Sequence, residues 1–161
     1  MNKELKENSL VIVEVENEGL VAAGRTLAFP APESTSIIAL PERYADFAKT
    51  GKIKTLTVSG NSLLGIGLHD GDELICKQAF SKKEIGPNTI CIVYIPALGE
   101  VVAKKIRFVA GELVLRSCNP DVPDIKAREN DVDIRGVVIG LHRTPDEYGH
   151  FDRGYEPDFP F

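Results

Sequence analysis

TICIVYIPALGEVVAKKIRFVAGELVLRS, residues 89–117, decides the fold. Three apolar, β-branched runs sit in it, TICIVYI (89–95), VVAKKIRF (101–108) and ELVLRS (112–117). Each is strand-length, and Leu98-Gly99 and Ala110-Gly111 mark tight turns between them. Antiparallel strands joined by short turns are the simplest reading. Working outward, DELICKQ (72–78), IKTLTVS (53–59) and LVIVEV (10–15) read as strands on the N-terminal side. RGVVIGLHR (135–143) reads as one on the C-terminal side, and SIIAL (36–40) as a short one. PERYADFAKTG (41–51) is the one helix signature, with Pro41 near its first turn and Gly51 as its stop. Residues 16–35 read as loop, because Gly19, Gly24, Pro30 and Pro32 punctuate them. The expected class is mostly β: an antiparallel, partly open barrel or sandwich with one short helix.

The bulk properties narrow the function. The chain has 161 residues, enough for one domain with a core of its own. The formal net charge of −5 argues against direct nucleic-acid binding, which needs a basic face. Lys104, Lys105 and Arg107 form a local basic run, which by itself reads as a solvated strand edge. Cys76, Cys91 and Cys118 have neither metal-ligand spacing nor an even count, and read as reduced core thiols. No metal or cofactor is expected. The N-terminus MNKELKENS carries no apolar signal segment, and no apolar run is long enough for a membrane span. The expected location is the cytoplasm, away from membranes. The domain reading is a flexible arm over 1–35, a folded domain over 36–143, and an acidic, aromatic tail over 144–161.

One stretch carries chemistry. VSGNSLLGIGLHDGDEL (58–74) places Ser62 among glycines ahead of an Asp-Gly-Asp turn. A serine nucleophile needs a base. His69, His142 and His150 are the histidines, and none has an evident orienting carboxylate pattern. A lysine can replace histidine if it is held neutral, and burial in apolar surroundings favours the neutral amine. On a strand over 101–108, alternation puts Val102, Lys104, Ile106 and Phe108 on one face. Lys104 is then the lone charge on an apolar face, whereas Lys105 shares its face with Arg107. An inward lysine can also pair with a carboxylate or snorkel to water, so this pattern alone leaves catalysis open.

VSGNSLLGIGLHDGDEL, EVVAKKI (100–106), GELVLRSCNP (111–120) and RGVVIG (135–140) together resemble the LexA/UmuD-like family of self-cleaving serine–lysine peptidases. EGLVAAGRTL (18–27) resembles that family's cleavage segment. The resemblance spans roughly residues 18–143 and implies the LexA and signal-peptidase type of β fold. It also implies Ser62 as nucleophile, Lys104 as general base and Ala23–Gly24 as the scissile bond. The backbone amides of Ser62 and Leu63 would hold the oxyanion. Three departures stand out: Leu63 replaces the usual Met, Asn61 stands where Asp or Met is often found, and Lys104 follows Ser62 by 42 residues, several more than the family's usual spacing. The longer spacing leaves Lys105 as a second candidate base, and the face argument favours Lys104.

By resemblance the partners are a second copy of the chain and, as activator, the RecA–single-stranded-DNA filament of the DNA-damage (SOS) response. Only 23 residues precede Gly24, which points to a UmuD-like role, with a translesion DNA polymerase as a further partner. The alternatives are the dimerisation and self-cleavage domain of a LexA- or phage-type repressor, and a catalytically silent dimerisation module.

Overall fold

The computed structural model describes residues 9–22, 34–59, 67–116 and 123–143. Nine strands follow one another: β1 Leu10–Ala22, β2 Ser34–Pro41, β3 Ile53–Ser59, β4 Glu73–Lys77 and β5 Ile90–Ile95, then β6 Glu100–Val109, β7 Glu112–Arg116, β8 Ile125–Arg128 and β9 Asp133–His142. They form a single sheet in the order β2-β1-β3-β4-β9-β5-β6-β7-β8. Every pairing is antiparallel except β1 with β3, which run parallel. The sheet curls: β1 touches β6, although β3, β4, β9 and β5 lie between them in the order. The mostly β class with one short helix is therefore observed, as a partly open, curled sheet.

The strand order explains the core. β3 and β4 bury both faces. On one side Leu56, Val58, Leu74 and Cys76 pack with Leu68, Ile92 and Ala103. On the other, Ile53 and Ile75 pack with Val15, Ile38 and Leu40. A third cluster joins Cys91, Val93 and Ile95 of β5 to Val102 and Ile106 of β6 and Leu113 and Leu115 of β7.

Three elements differ from the sequence reading. β1 continues through Glu16–Ala22, read above as loop. Gly19 does not end the strand but marks a bulge: its φ is 111°, its N–H donates to Asn17 Oδ1 at 2.8 Å, and the β1–β3 register shifts between Asn17 and Leu20. Past the bulge β1 runs beside β3, so part of the stretch read as an arm belongs to the sheet. β8 escaped the reading because IKAR is short, charged and at the sheet edge, the composition that keeps edge strands soluble. The helix over 41–51 is shorter than its signature: a 3₁₀ turn at Glu42–Tyr44 leads into α1, Ala45–Lys49. Pro41 belongs to β2, and Gly51 closes the turn with φ 73°. Tyr44 and Phe47 pack on the β1–β4 cluster, and the Lys77 ammonium sits 4.8 Å from the Phe47 ring centre. Among the described residues no helix is long and apolar enough to cross a membrane.

Candidate active site

Ala23, Gly24, Ser62 and Leu63 lie outside the described residues. The strands that lead to them are described. Leu20, Val21 and Ala22 pair in parallel with Thr57, Val58 and Ser59. The two chains therefore leave the sheet side by side and in the same direction, with their axes about 4.8 Å apart. Ala23 is the next residue on one, and Ser62 is three residues on along the other. Three residues span at most about 11 Å.

The segment that carries Ser62 is anchored at both feet by one turn. The Val58 N–H donates to the Asp72 carbonyl at 2.7 Å, and the Gly71 N–H donates to the Val58 carbonyl at 2.8 Å. At the other foot, Arg143 Nη2 donates to the Gly67 carbonyl at 2.7 Å. The Val58 foot is thus held by the Asp72 and Gly71 backbone, and the Gly67 foot is tied through Arg143 to the Asp72 carboxylate, which is 1% exposed. That carboxylate accepts Arg143 Nε at 2.8 Å, Arg143 Nη2 at 2.7 Å and the His69 N–H at 2.8 Å. Burial alone would raise the Asp72 pKa. The Arg143 and His69 hydrogen bonds, with the charge of Arg143 behind them, outweigh it and hold the carboxyl below its usual value of 3.8.

Lys104 sits in the middle of β6 and is 2% exposed. Val102 and Ile106, two residues to either side, are buried, and its cross-strand partner Cys91 is fully buried. Ala103, next to Lys104 in sequence and on the opposite face of β6, packs in the cluster that holds Val58 and Leu68, which flank the Ser62 segment in sequence. It is therefore the β6 strand that lies against that segment, while Lys104 shares its face with Val102 and Ile106. The described residues thus bring three strands together: β1 leading to Ala23, β3 leading to Ser62, and β6 carrying Lys104. Lys105 is half-buried and Arg107 exposed. Phe108, expected to face inward with Lys104, is 37% exposed, because β6 outruns the core there; the Lys82 ammonium lies over its ring.

The histidines fall differently. His150 lies outside the described residues. The His69 backbone belongs to the Asp72 turn. His142 Nδ1 is 3.3 Å from Glu73 Oε2, while the other oxygen of Glu73 accepts the Ser36 hydroxyl at 3.0 Å. In that chain the serine meets the carboxylate rather than the imidazole, which is not the order a nucleophile and base require. Burial pushes the Cys76 thiol up to about 12, with Glu18 adding to the rise, and the Cys91 thiol up to about 11. Both are free, buried thiols, not thiolate nucleophiles. Among the described residues no group of three or more His, Cys, Asp or Glu could hold a metal ion.

The sequence reading missed Asp72 and Arg143. Only the Asp-Gly-Asp turn hinted at the first, and nothing local pairs it with a residue 71 positions away.

The sequence of these segments is shared with known proteins. The model of the Peptidase S24-like family matches residues 19–139, from the bulge in β1 to β9. The chain is 34% identical over 127 residues to the LexA repressor of Syntrophobacter fumaroxidans, covering 78% of this chain and 56% of that protein. It is 30% identical over 125 residues to the LexA repressor of Leuconostoc mesenteroides, covering 78% and 55%. The LexA repressor of Deinococcus radiodurans is 27% identical over 85 residues, 53% of this chain and 39% of the repressor. The chain spans about half the length of the first two. With the family model matched across both the β1 segment and the β6 lysine strand, the chain belongs to the Peptidase S24-like family.

Proposed function

We propose that the chain is the self-cleaving peptidase portion of a LexA-type repressor of the SOS response, cutting its own Ala23–Gly24 bond with Ser62 and Lys104. The observation that carries this is the burial of Lys104 at 2% exposure on a strand that touches the one leading to Ala23. An amine there loses hydration when charged, so its neutral, proton-accepting form is favoured. The Lys104 amine takes the Ser62 hydroxyl proton, and Oγ attacks the Ala23 carbonyl carbon. The amides of Ser62 and Leu63 hold the oxyanion. The Ala23–Gly24 bond breaks as the Gly24 nitrogen accepts a proton from Lys104. Water then hydrolyses the acyl-enzyme. The tethered substrate gives a high effective concentration, so control rests on how often the segment docks.

The activator is then the RecA–single-stranded-DNA filament, and the working unit a homodimer. The UmuD-like role, with a translesion polymerase as partner, has less support, because the relatives described above are LexA repressors. Ser62→Ala and Lys104→Ala test the reading. Each should abolish the cut and leave the far-UV circular dichroism unchanged. Wild-type chain that stays whole with activated filament and in alkali would leave only a dimerisation module.

A further inference from the structure

Folding turns a short basic run into a two-dimensional face. On the side of β6–β8 turned away from Ile106, Leu113 and Leu115, Arg107, Arg116, Lys126 and Arg128 are exposed and Lys105 is half-buried. The register makes them neighbours. Lys105 lies opposite Arg116, Arg107 opposite Val114, and Val114 in turn opposite Lys126. Glu112, opposite Arg128, is the one carboxylate among these positions. Among the described residues none of the five cations forms an ion pair. Like charges directly opposite each other on a sheet are destabilising, as at Lys105–Arg116. An anionic segment laid across this face would relieve that repulsion.

The chain carries one. Residues 144–161 hold Asp146, Glu147, Asp152, Glu156 and Asp158 against one Arg153, a net of −4. Tyr148, Phe151, Tyr155 and Phe159 are interleaved with these acids, as Val109 and Val114 are interleaved with the cations. Geometry favours the match. β5 runs antiparallel to both β6 and β9, and Cys91 is level with Lys104 on one side and Val137 on the other. β6 and β9 therefore point the same way, so Arg107 and His142 lie at the same end of the sheet. Two strand spacings separate them, about 10 Å. The chain beyond β9 starts from Arg143, which Asp72 holds in place. Eighteen residues can span about 60 Å, far more than the face requires.

We infer that the cationic face of β6–β8 is the docking site for the acidic, aromatic segment 144–161 of the same chain. The attachment is electrostatic with apolar contacts at Val109 and Val114, and tethering supplies a high effective concentration. The docked segment neutralises the Lys105–Arg116 repulsion and covers the sheet edge at β8.

Zero-length carbodiimide coupling of the full chain, read by mass spectrometry, tests this. Lys105 and Lys126 should couple to carboxylates of 146–158 within one molecule, as mixing isotopically heavy and light protein reveals. Raising the salt from about 0.1 M to about 1 M shortens the screening length from about 10 Å to about 3 Å and should cut the yield about tenfold. Arg107→Glu with Arg116→Glu, both exposed, should do the same and leave the circular dichroism unchanged. Mixed heavy–light products at their statistical share, about half of an equal mixture, would overturn the proposal. So would absent coupling, whether or not a fluorescent single-stranded oligothymidine binds the wild type and not the double variant. Oligothymidine binding of that kind would make the face a phosphate-backbone site instead.

Discussion

Replacing Arg143 by methionine should destabilise the fold sharply at neutral pH and much less in acid. The Asp72 carboxylate is 1% exposed and accepts three hydrogen bonds, two of them from Arg143. Arg143→Met leaves a buried charge with the His69 amide alone and removes the donor to the Gly67 carbonyl. Breaking a buried pair by removing one partner costs about 3–5 kcal/mol. The Arg143 side chain keeps 23% exposure, so the lower end applies, about 3 kcal/mol. For a chain of this size a urea slope of about 2 kcal/mol per molar converts that to a midpoint shift of about 1.5 M. The sign with pH follows from Asp72. Its folded pKa lies below 3.8, so its stabilising contribution is present above 3.8 and is lost as the pH falls through the folded value. The gap between wild type and variant should therefore be full at pH 7 and shrink toward pH 3. Urea unfolding followed by circular dichroism, in a Ser62→Ala background to keep the chain whole, measures both. A midpoint shift under about 0.5 M at pH 7, or one that persists undiminished in acid, would refute the reasoning.

Three further outcomes follow from local geometry. Ala110 has φ 47° beside Gly111 at φ 82°, so the two-residue turn between β6 and β7 places a side chain in the left-handed region; Ala110→Asn should stabilise by about 0.5–1 kcal/mol, seen as a raised melting temperature. A methyl group on Gly136 would meet the Lys77 backbone carbonyl oxygen at 3.1 Å, and a central strand cannot yield, so Gly136→Ala should cost about 1–3 kcal/mol in urea unfolding. Cys76 and Cys91, with pKa values of about 12 and about 11, should resist a thiol-specific disulfide reagent at mildly alkaline pH until the protein is unfolded.

Much of the architecture is local and was legible. The apolar runs of β3 to β7 and β9 are bounded by turn residues, so their existence and order can be read without knowing what they touch. Lys104 was legible for a related reason: strand alternation in VVAKKIRF makes it the lone charge on an otherwise apolar face, and that face is the one that turns to the core. What could not be read is non-local. The bulge at Gly19 looks like a turn until β3 arrives to pair with Leu20–Ala22. β8 is four residues long, and its strand character comes from β7 beside it. The Asp72–Arg143 pair and the cationic face each exist only once distant segments are laid side by side. Lys104 and Lys105 are adjacent in sequence yet part company in the fold, one in the core and the other on the outer face.

The most direct measurement is mass spectrometry of the purified chain incubated at a series of pH values from neutral to alkaline. The account requires two fragments, one ending at Ala23 and the other beginning at Gly24. Their rate of appearance should rise about tenfold per pH unit until the lysine is deprotonated, then level off. A rate independent of pH, a cut at another bond, or equal cleavage in Lys104→Ala would contradict it.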